Sequence, residues 1–366
     1  MKLRNCLLLA MLLSFILVAV ACRQEKATWR GTISEENGVT IIKNPAKPMY
    51  TEQVLTLAKE LTVGGAGTGG DAAFSSLEGV DIDEDENIFI LSAKDAAVFV
   101  YDRSGMFMRK FGRRGQGPGE LLTPAAISIR ADRVMISDLA RKISFFNLDG
   151  SFTHSFSIGQ YSLPGTSLDS SGNIYGLEAG MTGDIPAVKL LKFDQEMKLK
   201  GELARYLIPE PQKGLDPFMV LPSFQIGPED TVIFSHPEDY IFEYYDADGK
   251  LIRRVKKAFK PVRITDEEKN EMKQKLPSHQ GSRFAYHPGC ERFVCSDEGW
   301  LLVQTFEKSA EGYYIFDVFD EQGRFLTRIP LPGEPKIWKK GKLYCREEDE
   351  AGFQLLVRYS LKSKLE

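Results

Sequence analysis

Four histidines are the first residues to consider for chemistry, because imidazole can act as a general base or as a metal ligand near neutral pH. They are His154, His236, His279 and His287. Their spacing assigns no Ser/His/Asp set, since such triads are recognised by geometry and not by order along the chain. His236 follows an apolar run and begins the segment HPED at 236–239, so we select it as a candidate ligand-binding residue.

A glycine-rich loop with basic flanks is the second candidate site. Gly112–Gly119 reads GRRGQGPG, but it lacks the Lys-Ser/Thr ending of a phosphate-binding P-loop. Its glycines more simply allow tight turns where the chain crosses between sheets. Arg109, Lys110, Arg113 and Arg114 form a basic cluster that either binds an anion or an acidic partner or is a solvated rim. Arg113 and Arg114 are the candidate binding residues here.

The cysteines and turn residues predict no metal site and no cofactor. Cys290, Cys295 and Cys345 contain no Cys-x-x-Cys pair. Cys290 and Cys295 could close a small disulfide loop, but we favour buried thiols that pack as small apolar residues. Asp138, Asn87 and Asn173 fall where the chain must turn, so we assign them to turns and not to ligand positions.

The N-terminus predicts export. Two basic residues precede an apolar run at Cys6–Val20 that is too short for a membrane-spanning helix. The run ends VAVA before Cys22, which resembles the lipobox of bacterial lipoproteins, although Ala19 stands where leucine is more usual. The resemblance implies a signal peptide over residues 1–21, a lipid-anchored Cys22 and attachment to a membrane. The alternative is an ordinary signal peptide that leaves Cys22 as a free thiol.

Residues 22–50 show no clear periodicity, so we interpret them as a tether. Arg23, which is not an aspartate, favours the outer membrane by analogy with enteric sorting, with the periplasmic and surface faces both open. Removing residues 1–21 takes away two basic residues and no acidic one, so the net charge changes from −4 to −6. This argues against nucleic acid as a partner.

The elements that must position these residues form a repeat. Gly79–Glu120 reads as four short strands, with Asn, Asp and Gly in the turns between them. The third strand and its turn recur six times, with the turns separated by 45, 47, 52, 74 and 40 residues. Four of these five intervals are near the length of a propeller blade. The sequence therefore predicts an all-β, six-bladed β-propeller of four-stranded antiparallel blades over residues 51–366.

Two departures from the repeat are expected. The sixth unit ends before its fourth strand is complete, and Gln53–Val63 can supply that strand and close the ring. The longest interval contains an insertion at about residues 260–289. Within it Thr265 and Glu268 form a capping box that predicts a helix over Asp266–Lys275. The insertion is either a lid, a docking element for a partner or a plain surface loop.

The run Lys110–Glu120, with Ile136–Asp138 and Lys142–Phe146 after it, resembles the NHL repeat. That family joins adjacent blades with such a glycine loop and follows it with a strand that ends in Asp. The match is specific over Gly79–Ile158. With the lipobox, the whole chain resembles the six-bladed propeller lipoproteins of Bacteroides-type bacteria. Most members of that group lack an assigned activity, so the resemblance implies architecture and little chemistry.

We interpret the chain as an exported, lipid-anchored propeller that binds a protein, peptide or sugar ligand at one end of its channel. The basis is a recognisable scaffold without a matched catalytic set. Some related propellers are enzymes, so the resemblance also implies a rival: a metal-dependent hydrolase, lactonase or lyase acting in the channel. A passive structural spacer is the third alternative.

Overall fold

The strands of this chain form six separate sheets. The computed structural model describes residues 27–65, 69–161, 163, 165–208, 216–276, 282 and 284–364. In chain order the strands are β1 Thr32–Glu36, β2 Val39–Asn44, β3 Leu55–Gly64, β4 Gly79–Ile82, β5 Ile88–Ser92, β6 Ala97–Tyr101, β7 Phe107–Phe111, β8 Pro124–Arg130, β9 Arg133–Asp138, β10 Lys142–Asn147, β11 Phe152–Ser157, β12 Thr166–Leu168, β13 Ile174–Thr182, β14 Ile185–Phe193, β15 Leu199–Leu207, β16 Phe224–Ile226, β17 Val232–His236, β18 Ile241–Tyr245, β19 Leu251–Lys257, β20 Phe293–Cys295, β21 Leu301–Lys308, β22 Tyr314–Phe319, β23 Phe325–Leu331, β24 Glu334–Lys339, β25 Lys342–Glu348 and β26 Gln354–Ser363. One α-helix, α1 at Asp266–Lys275, and two short 3₁₀ turns complete the described elements.

The sheets are the blades of a closed propeller. Blades 1 to 5 are β4–β7, β8–β11, β12–β15, β16–β19 and β20–β23, and blade 6 combines β24–β26 with β3. The innermost strands β4, β8, β12, β16, β20 and β24 contact one another in a ring around the channel. The predicted six-bladed β-propeller is therefore confirmed.

The hydrophobic core is divided among the gaps between blades. Six clusters of buried side chains each join two neighbouring blades, and one of them packs blade 6 against blade 1. Every residue of β5 and of β6 is buried, because both faces of those strands are covered by adjacent blades. This arrangement explains why these strands are continuous apolar runs.

The first half of the chain supplies the last strand of the ring, as the sequence predicts. β3 pairs antiparallel with β26, from Leu55 opposite Ser363 to Gly64 opposite Leu355. The predicted helix Asp266–Lys275 is also confirmed, together with its capping box between Thr265 and Glu268.

The interpretation of residues 22–50 as a tether is wrong for residues 32–44. These residues form the hairpin β1–β2, and β2 pairs in parallel with β19, so the sheet of blade 4 has six strands. Ile41 and Ile42 of β2 are buried, which holds the hairpin against the blade. β1 is exposed along its whole length, so it carries no burial pattern that the sequence could reveal.

Asn44, at the end of β2, ties the N-terminal segment to two blades. Its Oδ1 accepts hydrogen bonds from Trp29 Nε1 and from the backbone N–H of Phe325, both at 2.8 Å. Its Nδ2 donates to the carbonyl oxygens of Gly323 at 2.9 Å and of Lys256 at 3.3 Å. The side chain is buried, so three of these bonds replace water for backbone groups of blade 4 and blade 5.

Gly323 allows this junction to form. It lies in the turn between β22 and β23 with φ of +80°, a backbone conformation that favours glycine. A Cβ added there would lie 2.6 Å from Cγ2 of Val255 in blade 4. The repeated turn of blade 5 therefore packs directly on the outer strand of the preceding blade.

We expect Asn44→Ala to reduce the free energy of unfolding by about 2–4 kcal/mol, because it leaves the buried N–H of Phe325 and the carbonyl of Gly323 without partners. Urea unfolding followed by circular dichroism measures the change. Glu35→Ala, at an exposed position of β1, is the matched control and should change the stability by less than about 0.5 kcal/mol. Equal stability of the two variants would show that the N-terminal segment does not hold the ring.

Candidate functional site

One end of the propeller carries the candidate binding residues Arg113, Arg114 and His236. The turns between second and third strands and the connections between blades lie at this end, which we call the loop face. The glycine loop at 112–123 and the insertion at 258–292 both belong to it. Arg113 and Arg114 lie over blades 1 and 2, whereas His236 belongs to blade 4, so the structure does not bring the three together.

The two arginines of the glycine loop have different roles. Arg113 donates from Nε to Glu120 at 2.9 Å, and its side chain is 80% exposed. Arg114 donates to the carbonyl oxygen of Leu122 at 3.0 Å and to two carbonyls in the turn between β5 and β6. Arg114 therefore fastens the glycine loop to blade 1, and Arg113 remains on the solvated rim.

His236 is part of an ion-pair network within blade 4. Its Nε2 lies 3.1 Å from Oε2 of Glu243, which also accepts a hydrogen bond from Tyr245 Oη at 2.7 Å. Arg254 Nε donates to the other carboxylate oxygen at 2.9 Å. Burial alone would raise the pKa of Glu243, but hydrogen bonds from His236, Tyr245 and Arg254 outweigh it and hold this pKa at about 2. β17 is the second strand from the axis, so His236 is held away from the channel.

The residues just after His236 do reach a cavity. A pocket of about 330 Å³ lies beside the insertion, and Glu238 and Asp239 form its acidic edge. We call it the apolar pocket, because the rest of its lining is mostly aromatic or aliphatic: Phe218, Met219, Val220, Phe259, Pro261, Phe284, Tyr286, His287 and Pro288. Apolar walls with a few polar groups at one edge are typical of ligand-binding pockets in proteins.

The capping box of α1 also holds the wall of this pocket. Glu268 Oε2 accepts from the backbone N–H of Thr265 at 2.8 Å, and its Oε1 lies 3.2 Å from Nε2 of His287. His287 in turn stacks on Phe306, with ring centroids 4.2 Å apart. Burial would raise the pKa of Glu268, but the backbone of Thr265 and the nearby His287 lower it overall. His279 lies outside the described residues.

A second concavity on the loop face lies between blades 5 and 6. We call it the polar cleft; its volume is about 510 Å³. Its lining includes Glu291, Arg292, Gln304, Tyr313, Tyr314, Phe316, Leu331, Glu334, Arg346, Glu347 and Glu348. These residues come from five separate segments of the chain, and for that reason no local motif marks the cleft in the sequence.

The cavity at the opposite mouth of the channel is smaller than the apolar pocket and the polar cleft, and paired charges lie in and beside its lining. Its volume is about 250 Å³. The buried carboxylate of Asp81 accepts from Lys339 Nζ at 3.0 Å and from the backbone N–H of Ile129 at 2.6 Å. This one side chain therefore joins the inner strands of blades 6, 1 and 2.

The cysteines and the assigned turn residues behave as predicted. Cys290, Cys295 and Cys345 are free and buried, and burial raises the pKa of the Cys295 thiol to about 12. Asp138 accepts hydrogen bonds from three backbone N–H groups in the turns around it. Asn87 and Asn173 each donate at 2.8 Å to an aspartate four residues earlier. In the described part of the chain, no three His, Cys, Asp or Glu side chains are placed to share a metal ion.

These features define the class: a six-bladed β-propeller with two concavities on its loop face. A family model described as a 6-bladed beta-propeller, DUF5128, matches residues 68–196. No protein with a curated description matches the chain. No helix among the described residues is long and apolar enough to cross a bilayer.

Solved structures with the same fold come from several bacteria. A Bacteroides fragilis protein, provisionally described as exported, is 14% identical, with a TM-score of 0.57 and coverage of 88% of this chain and 99% of its own. A DUF4221 protein from Bacteroides vulgatus is 11% identical, with a TM-score of 0.55 and coverage of 85% and 100%. A gluconolactonase from Xanthomonas campestris is 12% identical, with a TM-score of 0.47 and coverage of 78% and 86%. The two Bacteroides structures share the fold of this chain, and identities this low establish no activity.

We expect Glu243→Gln to lower the stability near pH 7 and to flatten its dependence on pH. Folding lowers the pKa of Glu243 from 4.5 to about 2, so its stabilisation is present above pH 4.5 and is lost as the pH falls towards 2. A shift of this size corresponds to about 3 kcal/mol. Urea unfolding of both proteins at several pH values across this window measures the difference.

Glu202→Gln is the control for this pH series. Glu202 pairs with Arg205 at 2.6 Å at a partly exposed position, where an ion pair contributes little. Its pH profile should follow that of the wild type. A Glu243→Gln profile parallel to the wild type would contradict the network described for blade 4.

Proposed function

We propose that this protein is an exported, lipid-anchored propeller that binds a protein or peptide partner through its loop face. The observation that supports this most is the distribution of exposed apolar side chains. Ten of the fourteen exposed large hydrophobic residues among those described belong to the loop face. These ten are Leu139, Met181, Ile185, Leu207, Leu221, Leu276, Tyr286, Tyr313, Tyr314 and Phe353. Apolar side chains collected on one surface are typical of protein interaction sites.

Six of the ten belong to blade 3, to the segment before blade 4 and to the insertion, on the side of the loop face that holds the apolar pocket. Met181, Ile185 and Leu207 are at the loop-face ends of the long strands of blade 3, and Leu221 precedes blade 4. Leu276 and Tyr286 belong to the insertion. A pocket surrounded by exposed apolar residues suits a partner that inserts one side chain and packs around it.

The insertion is then a docking element. It is the largest departure from the blade repeat, and its residues 259–288 supply about half of the pocket lining. Glu238 and Asp239 add negative charge at the edge, which favours a partner with basic residues beside its apolar anchor.

Replacing Leu221 and Tyr286 together by serine should reduce partner recovery about tenfold, because two exposed apolar anchors are removed without disturbing the core. The measurement is chemical cross-linking in native membranes, followed by quantitative mass spectrometry of the proteins recovered with the wild type. The double replacement Met106→Ser and Met108→Ser removes two exposed methionines at the opposite end and is the matched control.

Equal recovery with both double variants would reject the loop face as the binding surface. The rival activity has its own test on the same mature protein. A stoichiometric metal ion together with turnover of a lactone or ester would support the metal-dependent hydrolase and contradict a purely binding role.

Membrane attachment through Cys22 is the second part of the proposal. Cys22 lies outside the described residues, and the support is the apolar run and lipobox-like sequence before it. Cys22→Ser should prevent labelling with an alkyne fatty acid and move the protein from the membrane fraction to the soluble fraction. Cys290→Ser, which removes a buried thiol, should leave both the labelling and the fractionation unchanged. A labelled Cys22→Ser protein would exclude this residue as the lipid site.

A further inference from the structure

The polar cleft between blades 5 and 6 differs in chemistry from the apolar pocket. Two tyrosines form its rim: Tyr313 is 43% exposed and Tyr314 is 39% exposed. Its floor is apolar, with Phe316 and Leu331, and its remaining wall is charged. We propose that the polar cleft binds a neutral sugar, a ligand separate from the protein partner inferred for the other half of the loop face.

The charged wall is ordered before any ligand arrives. The carboxylate of Glu334 accepts hydrogen bonds from Arg292, from Arg346 and, at 2.9 Å, from Lys336. Burial alone would raise the pKa of Glu334, but these three cations lower it overall, so the carboxylate stays ionised. Groups fixed in this way lose little conformational entropy when they bind a ligand.

This wall contains both hydrogen-bond donors and hydrogen-bond acceptors. Glu291 accepts from Arg292 at 2.7 Å and from the side-chain amide of Gln304. Arg346 uses one Nη to contact Glu334, and a guanidinium has five N–H groups to offer. Glu347 accepts from Tyr359 and keeps further lone pairs. A sugar hydroxyl both donates and accepts, so it can bond to each group in turn.

The charges nearly cancel, which favours a neutral ligand. Three cations face the four carboxylates of the cleft: Arg292, Lys336 and Arg346 against Glu291, Glu334, Glu347 and Glu348. A ligand with a strong charge of either sign would meet attractive and repulsive groups in nearly equal numbers. A neutral polyhydroxylated ring meets no such repulsion.

The tyrosines supply the apolar half of the contact. Lys308 Nζ lies 4.9 Å from the ring centroid of Tyr314 and covers the ring from one side. Pyranose rings have an apolar face of C–H groups, and tyrosine combines a large apolar surface with a polar tip. The cleft therefore offers a stacking surface beside a fixed set of polar groups, with room for one or two sugar rings.

A printed array of neutral and charged glycans, probed with the mature wild-type protein, tests this inference. We expect retention on a set of neutral oligosaccharides. Calorimetry with the best neutral glycan should then show a dissociation constant about tenfold higher for Tyr313→Ala and for Arg346→Met. Phe353→Ala, which removes an exposed aromatic residue outside the cleft lining, should bind as the wild type does. Thermal unfolding confirms that each variant is folded.

Salt separates a neutral ligand from a charged one. Raising the ionic strength tenfold should change the dissociation constant less than about twofold, since screening weakens only charge–charge attraction. No retained neutral glycan, or equal losses for Phe353→Ala and Tyr313→Ala, would overturn the inference. Protein-partner recovery depends on Leu221 and Tyr286, so it can succeed or fail independently of this result.

Discussion

The fold depends on the antiparallel pairing of β3 with β26. A four-stranded blade has two apolar faces and cannot cover either of them alone, so each blade needs a neighbour on both sides. Only a closed ring gives every blade two neighbours. β3 completes blade 6, and the buried cluster between blades 6 and 1 then covers the last open faces. All six buried clusters between blades require that each blade has a neighbour on both sides. The concavities at the loop face require it too, because their walls are the loop-face ends of adjacent blades.

The N-terminal segment strengthens the same closure at three successive blades. β2 extends blade 4, Asn44 bridges to blade 5, and residues 49 and 50 donate backbone hydrogen bonds to Phe325 and Leu326 before β3 enters blade 6. The chain therefore runs along the outer edge of half the ring. The inner edge has a counterpart in Asp81, whose buried carboxylate joins blades 6, 1 and 2 around the axis. The closure of the ring at blade 6 is thus stabilised at both the outer and the inner edge of the propeller.

The sequence predicts the repeated parts of this molecule and misses what depends on distant contacts. The turns after the third strands, the strand supplied by Gln53–Val63 and the helix Asp266–Lys275 all carry local patterns, and the structure confirms them. β1 is exposed on both faces, so nothing in its residues distinguishes it from a tether. Its stability comes from pairing with β2, and β2 is held by a strand more than 200 residues away.

The candidate site shows the same limit. His236 follows an apolar run in the sequence, and this position suggests a ligand contact. In the structure His236 instead contacts Glu243 across the hairpin, and Arg254 donates to the same carboxylate. The HPED segment nevertheless leads to the apolar pocket, because Glu238 and Asp239 follow it in the turn. Arg292, Glu334 and Arg346 belong to three different strands or connections, and the packing of blade 5 against blade 6 brings them to one cleft.

The origin of β3 also determines when the ring can be completed. Ribosomes make β3 well before its partner β26, so about 300 residues must be synthesised between them. Contacts this distant in sequence make folding slow, and the facing apolar surfaces of blades 6 and 1 stay open until β26 pairs with β3. Such a chain gains its native topology only after β26 has been synthesised. Translocation across a membrane in an unfolded form is therefore compatible with this architecture, since the decisive pairing can form at the destination.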